Sequence, residues 1–320
     1  MVVEKEGTID IGGQSLYTKS WLPDGQIKAK LIFIHGFSDH VGRYADGLFP
    51  ALANRGIAVY GFDQRGWGKS VRKPADMGLT GRTSRVLSDM AEFIRPHLTK
   101  GCSDPPVFVM GHSMGGGQVL TLLSDENYQD SVVTKIRGWL LESPFIGFAP
   151  QEQPSSIKIF AGRLAGKLLP HQQLVHRIDP KNLSRDPKVV ESIRQDKLMH
   201  NTGTLEGFAG MLDRTTALDK GVAMPKKKGA VKAIWFGHGT KDKTTSFESS
   251  KRYFDRCLGE VEDKEFRAFE GYYHQLHADG PDSEVFFREV GDWILKRAEE
   301  KIDEGREDQA AAVRPTEAKL

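Results

Sequence analysis

The tightest constraint on what this chain can fold into lies at Val107–Ser124. A short apolar run, Val107–Met110, passes through Gly111-His112-Ser113-Met114-Gly115 into a helix-like stretch, Met114–Ser124. A G-x-S-x-G turn presses a strand end against a helix start, and the crowding demands glycine two residues before and two after the serine. The serine is forced into a strained conformation, its hydroxyl above the sheet edge and the backbone N–H of Met114 aimed at its reaction site. The plain alternative is a glycine-rich turn around an ordinary serine. It does not account for the strand on one side and the helix on the other.

The rest of the chain supplies the sheet that such a turn needs. Lys30–Ile34, Ile57–Phe62, Pro106–Met110 and Trp139–Leu141 are compact apolar runs, as strands buried on both faces require, and Gln14–Trp21 alternates like a half-buried edge strand. Helix-like segments at Tyr44–Arg55, Thr83–Leu98 and Met114–Ser124 separate them. The rhythm resumes with a strand at Val231–Phe236, a helix at Phe247–Leu258, a strand at Phe266–Phe269 and a long amphipathic helix at Ser283–Glu300. This alternation predicts the α/β class, with a mostly parallel central sheet flanked by helices. Residues 145–228 interrupt it. They contain no convincing buried strand, are cut by Pro154, Pro170, Pro180 and Pro187, and carry 14 Lys+Arg against 8 Asp+Glu. The expected organisation is a discontinuous core, residues 1–144 and 229–300, an inserted helical cap at 145–228, and a flexible polar tail at 301–320.

Other classes fall away. Apolar runs such as Leu31–Ile34 and Ala233–Phe236 are far shorter than the ~20 residues of a membrane-spanning helix. The start, MVVEKEGTID, lacks the basic-then-apolar order of a signal peptide, so a cytoplasmic location is expected. Two cysteines, Cys102 and Cys257, make neither a disulfide framework nor a cysteine-rich zinc site. Among 320 residues, 45 Lys+Arg nearly balance 43 Asp+Glu, which argues against a nucleic-acid binder.

A serine is a weak nucleophile and needs a base oriented by a carboxylate. Asp242 follows the strand Val231–Phe236 within Gly237-His238-Gly239-Thr240-Lys241-Asp242 and suits the acid better than Asp255 or Asp263. For the base, Tyr272-Tyr273-His274-Gln275-Leu276-His277 follows Phe266–Phe269. His274 is nearer the strand end; His277 is the second choice. The strand ending in His35-Gly36-Phe37 offers the Phe37 N–H as a second oxyanion donor beside Met114, and His35 is expected to order that loop.

At this point the chain resembles the monoacylglycerol lipase family of α/β-hydrolases over most of residues 10–300. The resemblance is carried by His35-Gly36-Phe37-Ser38-Asp39-His40-Val41-Gly42-Arg43-Tyr44, by Asp63-Gln64-Arg65-Gly66-Trp67-Gly68-Lys69-Ser70, by Gly111–Gly116, by Glu142-Ser143-Pro144-Phe145, and by Glu270-Gly271-Tyr272-Tyr273-His274-Gln275-Leu276-His277. It implies an α/β-hydrolase fold and a triad of Ser113, Asp242 and His274, with Phe37 and Met114 as oxyanion donors. It also implies Asp39, Arg43 and His277 around a glycerol head group, whose hydroxyls need replacements for lost water. Asp39 is one methylene shorter than the glutamate often found at its position. Thr245 stands where animal members carry cysteine. The implied substrate is a monoacylglycerol, cleaved to glycerol and fatty acid without a cofactor. A lysophospholipase, a broad carboxylesterase and a non-catalytic binding module are the competing readings.

Remaining motifs carry less. Gly66-Trp67-Gly68-Lys69-Ser70 resembles the end of a phosphate-binding loop, but Asp63 occupies the position that requires glycine. The histidines show no ligand spacing, so no metal is expected. Lys226-Lys227-Lys228 reads as a solvated connector. In Ser156–Leu169, Ile157, Phe160, Leu164 and Leu168 share one helical face, which either packs on the core or meets a lipid droplet or anionic membrane. Ala318-Lys319-Leu320 is one conservative change from a peroxisomal address and makes that compartment a secondary expectation.

Overall fold

The computed structural model of the chain describes residues 1–101, 103–153, 155 and 163–312, with side chains described up to residue 300. Eight strands form one sheet: β1 (Val3–Ile11), β2 (Gln14–Leu22), β3 (Ala29–Ile34), β4 (Ile57–Phe62), β5 (Val107–His112), β6 (Gly138–Glu142), β9 (Ala233–Gly239) and β10 (Asp263–Phe269). Their spatial order is β1-β2-β4-β3-β5-β6-β9-β10. The β1–β2 hairpin and the β2–β4 pair are antiparallel, and every pairing from β4 to β10 is parallel.

The parallel strands are apolar throughout because helices cover both faces. Side chains alternate along β3, so Ile32 and Ile34 enter one core and Leu31 and Phe33 the other. The first core packs against α2 (Thr83–Ile94) through Val86, Leu87, Met90 and Phe93, and against α3 (Met114–Ser124) through Val119, Leu122 and Leu123. The second packs against α1 (Leu48–Ala53) through Leu48, Phe49 and Leu52 and against the C-terminal helix through Phe286, Val290, Trp293 and Ile294. Each such side chain, buried from water, contributes roughly 1.5–3 kcal/mol before entropy is charged against it.

The boundaries shift for local reasons. Gly47 and Pro50 reduce the expected Tyr44–Arg55 helix to a 3₁₀ turn, Val41–Tyr44, followed by α1. Pro96 converts the end of the Thr83–Leu98 stretch to a 3₁₀ turn at Arg95–His97. Strand β1 is an edge strand with most residues exposed, so no apolar alternation marks it. The C-terminal helix runs Ser283–Ala312, twelve residues into the segment read as tail. Glu, Arg, Gln and Ala dominate there, and these are good helix formers. Residues 313–320 lie outside the described residues.

The cap leaves the sheet after β6 and returns at β9, between two neighbouring strands. It is not purely helical. Besides α4 (Pro187–Gln195) and α5 (Leu205–Asp219), it contains a small antiparallel pair, β7 (Gln173–Val175) with β8 (Thr202–Thr204), and β8 is buried. Thr-Gly-Thr carries no apolar signal, so it was invisible to patterning. Of the proposed amphipathic face, Ile157 and Phe160 lie outside the described residues. Leu164 and Leu168, on a helical segment at 163–168, do not pack on the core: they are 50% and 71% exposed. The strand-following loop Gly66–Ser70 wraps the buried Asp63 carboxylate, which accepts the N–H groups of Val41 and Lys69. Among the described residues no helix is long and apolar enough to cross a membrane.

Candidate active site

The chemistry gathers at the carboxyl ends of the parallel strands, where an open α/β sheet leaves a crevice. Ser113 follows β5 with φ 54° and ψ −119°, a left-handed conformation that costs an ordinary side chain free energy. Gly115 lets the turn close: a Cβ there would sit 2.2 Å from the Ile34 carbonyl oxygen and 2.5 Å from that of His35. The turn is anchored from the β6 side. The Ser113 N–H donates to the Glu142 carbonyl at 3.0 Å, and the Phe145 N–H donates to the Ser113 carbonyl at 2.8 Å.

Asp242 and His274 arrive on adjacent loops after β9 and β10. Gly239 allows the loops to touch, since a Cβ would lie 2.3 Å from the Tyr273 carbonyl oxygen. The Lys241 N–H donates to the Tyr272 carbonyl across the same junction at 3.0 Å. His274 Nδ1 is 2.7 Å from Asp242 Oδ2. The N–H groups of Thr244 and Thr245 donate to Oδ1 at 2.7 and 3.0 Å, and the Thr245 hydroxyl donates to Oδ2 at 2.8 Å. Burial alone would raise the Asp242 pKa. The electrostatic attraction of the His274 ring and the hydrogen bonds from His238 and His274 outweigh it and hold the carboxyl well below its usual range. An ionised carboxylate only accepts, so the proton on the His274 ring sits at Nδ1 and Nε2 is left as a base.

His238 is a partner that sequence reasoning did not assign. It is buried, with Nε2 3.1 Å from Asp242 Oδ2 and Nδ1 3.0 Å from the Ser250 hydroxyl. Its place four residues before Asp242, at the end of a buried strand, was the available signal. Donation from Nε2 gives the buried carboxylate a second imidazole, which helps offset the cost of taking a charge out of water.

Strands β3 and β5 are neighbours with Ile34 paired to Gly111. Phe37 follows the end of β3 and Met114 the end of β5, and both border the same cavity as Ser113. The Phe37 ring is held 5.0 Å from Trp67 and 5.6 Å from Phe208. His35 orders this loop: its Nε2 accepts the Gln64 N–H at 2.9 Å and its Nδ1 lies 2.9 Å from the Gly36 carbonyl. Burial pushes its pKa down.

Two cavities meet at Ser113. One, of about 550 Å³, is bounded by Phe37, Ser38, Asp39, Asn201, Ser113 and His274. The other is lined by Phe37, Met114, Phe145, Phe148, Ile178 and Met211 and also borders Ser113.

The three expected head-group residues separate. Asp39 lines the larger cavity, with Oδ1 accepting the His40 N–H at 2.8 Å and Oδ2 the Tyr44 hydroxyl at 2.6 Å. Arg43 is not among the lining residues. Its guanidinium donates to the Ser192 hydroxyl at 3.1 Å and lies 3.7 Å from Asp196, so it ties the core to the cap. His277 is not among them either. It is buried with Nδ1 2.7 Å from Glu142 Oε1, and its ring lies 4.3 Å from Tyr44. Stronger partners claim both: a cap carboxylate takes Arg43, and a carboxylate at the end of β6 takes His277.

Folding also groups histidines that spacing kept apart. His112, Glu142 and His277 bring three ligand-type atoms within 4.8 Å of one another. The His277–Glu142 contact already satisfies two of them as a carboxylate–imidazole pair. Burial pushes the His112 pKa down to about 3, so that ring is neutral.

Comparison with known proteins agrees with this architecture. Residues 25–281 match the Hydrolase_4 family, described as serine aminopeptidase S33. A Schizosaccharomyces pombe protein provisionally named a monoglyceride lipase is 30% identical over 307 residues, spanning 94% of this chain and 76% of that one. The monoglyceride lipase of Mus musculus is 28% identical over 297 residues, spanning 90% and 89%. A soluble variant of monoglyceride lipase from Saccharomyces cerevisiae, solved in complex with a substrate analog, superposes with a TM-score of 0.80 at 20% identity, covering 93% of this chain and 97% of that one. At that identity the superposition speaks for the fold.

Proposed function

The chain belongs to the Hydrolase_4 family of serine hydrolases, and from that premise we propose that it cleaves monoacylglycerols to glycerol and free fatty acid through an acyl-enzyme on Ser113. The observation that carries this reading is the meeting of two unlike cavities at one serine. A roomy space edged by Asp39, Ser38 and Asn201 suits glycerol hydroxyls, and an apolar one of about 50 Å³ edged by Phe145, Phe148 and Met211 suits the first methylenes of an alkyl chain. Burying that chain contributes about 0.8 kcal/mol per methylene. The ester between head and tail then lies over Ser113.

In the proposed cycle His274 Nε2 takes the Ser113 proton as the hydroxyl oxygen attacks the ester carbonyl. Asp242 fixes the tautomer and stabilises the imidazolium. The Phe37 and Met114 amides receive the developing oxyanion, each supplying about 3 kcal/mol in the transition state. His274 returns the proton to the departing glycerol oxygen, and a water repeats the sequence to release the fatty acid. Asp39 is the head-group acceptor in this scheme.

A panel of monoacylglycerols, short p-nitrophenyl esters and lysophospholipids tests the substrate. Steep preference for monoacylglycerol is expected, and equal turnover of short esters would turn the reading towards a broad carboxylesterase. Fluorophosphonate labelling, lost in Ser113→Ala, tests the nucleophile.

For the cap we propose contact with a lipid surface. Leu164, Leu168, Leu169, Leu174 and Val175 are exposed apolar residues on this one insertion, and its cationic excess favours anionic head groups. Failure to co-sediment with anionic vesicles at low salt would remove it. A cytoplasmic location is proposed, with peroxisomal import through Ala318-Lys319-Leu320 as the second reading. A tagged chain whose distribution ignores deletion of Leu320 would dispose of import.

A further inference from the structure

Glu142 closes β6, the strand that lies between β5 and β9. It pairs with His112 on β5, next to the nucleophile, and with Gly237 on β9, whose loop bears Asp242. Its side chain is fully buried. Its carbonyl accepts the Ser113 N–H at 3.0 Å. Its Oε1 accepts the His277 N–H at 3.1 Å and lies 2.7 Å from His277 Nδ1, three residues past His274. Its Oε2 faces His112 Nδ1 at 3.5 Å, and the His112 ring lies 4.8 Å from that of His274.

The next residues extend the grip. Ser143 adopts φ 44°, its N–H donates to the Gly237 carbonyl at 2.8 Å, and its carbonyl lies 3.1 Å from the Thr245 hydroxyl. Phe145 returns to bind the Ser113 carbonyl. The peptide groups of the nucleophile are thus held on both sides by one four-residue segment. The carboxylate of that segment holds the base loop.

We propose that Glu142 is a positioning residue for ester hydrolysis: its main chain fixes the nucleophile turn and its carboxylate fixes the base loop, so that Ser113 and His274 stay in register. This rests on the reading of Ser113 and His274 as nucleophile and base. His277 is the intermediary, which accounts for its interior position away from the cavity. The carboxylate has two consequences. It sets geometry, where a displacement of about 1 Å costs up to about a hundredfold in rate. It also places a negative charge, shared with His277, one ring away from His274 across neutral His112; the other groups against His274 are Asp242, with His238 behind it, and the Thr245 hydroxyl.

Glu142→Gln keeps the shape and the acceptor for the His277 N–H but removes the charge. The expected result is a folded protein with KM within about twofold, kcat lowered about tenfold or more, and the acid limb of kcat/KM against pH moved to lower pH. A purely structural carboxylate would change thermal stability and leave that limb in place. His277→Asn, which leaves Glu142 intact, supplies the second measurement if Glu142→Gln fails to fold. Loss in kcat supports the positioning role; loss confined to KM would instead make His277 a head-group contact and overturn it. A folded Glu142→Gln with unchanged kcat and pH profile also overturns it, while Ser113→Ala that stays active would sink the underlying triad reading instead.

Discussion

The Thr245 hydroxyl lies 2.8 Å from Asp242 Oδ2 and also 3.3 Å from His274 Nδ1, wedged where the acid and the proposed base meet. A hydrogen bond to a buried charge is worth about 1.5–3 kcal/mol, and removing the donor leaves carboxylate capacity unfilled. Thr245→Val is therefore expected to lower kcat about tenfold with little change in KM, as steady-state kinetics on one monoacylglycerol would register. Thr245→Cys keeps a weak donor at a position bordering the apolar cavity. It should stay active and become sensitive to maleimide, whereas the wild-type activity is expected to be indifferent to it. A wild type inactivated as fast as Thr245→Cys would contradict this.

Backbone strain at the nucleophile turn carries a stability signature. Ser113 holds φ 54° and ψ −119°, which glycine adopts freely and serine does not. Ser113→Gly is expected to abolish hydrolysis while stabilising the fold by about 1 kcal/mol, seen as a thermal midpoint a few degrees higher. Ser113→Ala keeps the strain and should lose activity without that gain. Equal midpoints for the two variants would show that the turn is relaxed.

The turn and the alternating elements were legible because each depends on short-range pattern. Gly111 and Gly115 flank a serine between a β-branched-rich run and a helix former, the order that a tight strand-to-helix turn requires. Arg43 and His277 show where such reading ends. Both stand in motifs that suggest a head-group role, yet their side chains are claimed by Asp196 and Glu142, which lie 153 residues beyond the first and 135 before the second in sequence. Pairing at that separation is set by tertiary packing, and no spacing rule reports it. His238 escaped notice for a different reason: it stands only four residues from Asp242, but no spacing rule says that the loop turns that carboxylate back onto the end of its own strand. Strand β8 was hidden because Thr202–Thr204 is buried by its neighbours and not by its own hydrophobicity.

The depressed pKa of Asp242 makes a prediction with a definite sign. The fold favours the charged form, so its stabilising contribution is fully present above the unfolded value of about 4 and is lost as pH falls towards the depressed folded value. Asp242→Asn cannot contribute in this way. It is expected to be less stable than wild type at pH 7, with the gap narrowing steadily as pH drops below about 4 in thermal melts. Its kcat should fall about a thousandfold or more, because a neutral amide no longer enforces the Nδ1 proton on His274. A stability gap that widens in acid would refute the linkage.

Asp279 links the cap to the loop carrying His274. Its buried carboxylate accepts the Arg185 main-chain N–H at 2.6 Å and the Arg185 Nε–H at 2.7 Å, and it also accepts the Tyr273 N–H at 2.7 Å, one residue before His274. The Arg185 guanidinium additionally stacks 4.7 Å from the Tyr272 ring centroid. Breaking a fully buried pair by removing one partner costs about 3–5 kcal/mol, but the Arg185 side chain is 36% exposed and water screens it. Arg185→Ala is therefore expected to destabilise by about 1–2 kcal/mol in urea unfolding and to lower kcat more than it raises KM. Arg185→Lys restores the charge but not the planar fork, so it should recover part of the stability and little of the rate. If Arg185→Ala matched wild type in both kcat and urea midpoint, the cap would be acting only as a cover, with no hold on the base loop.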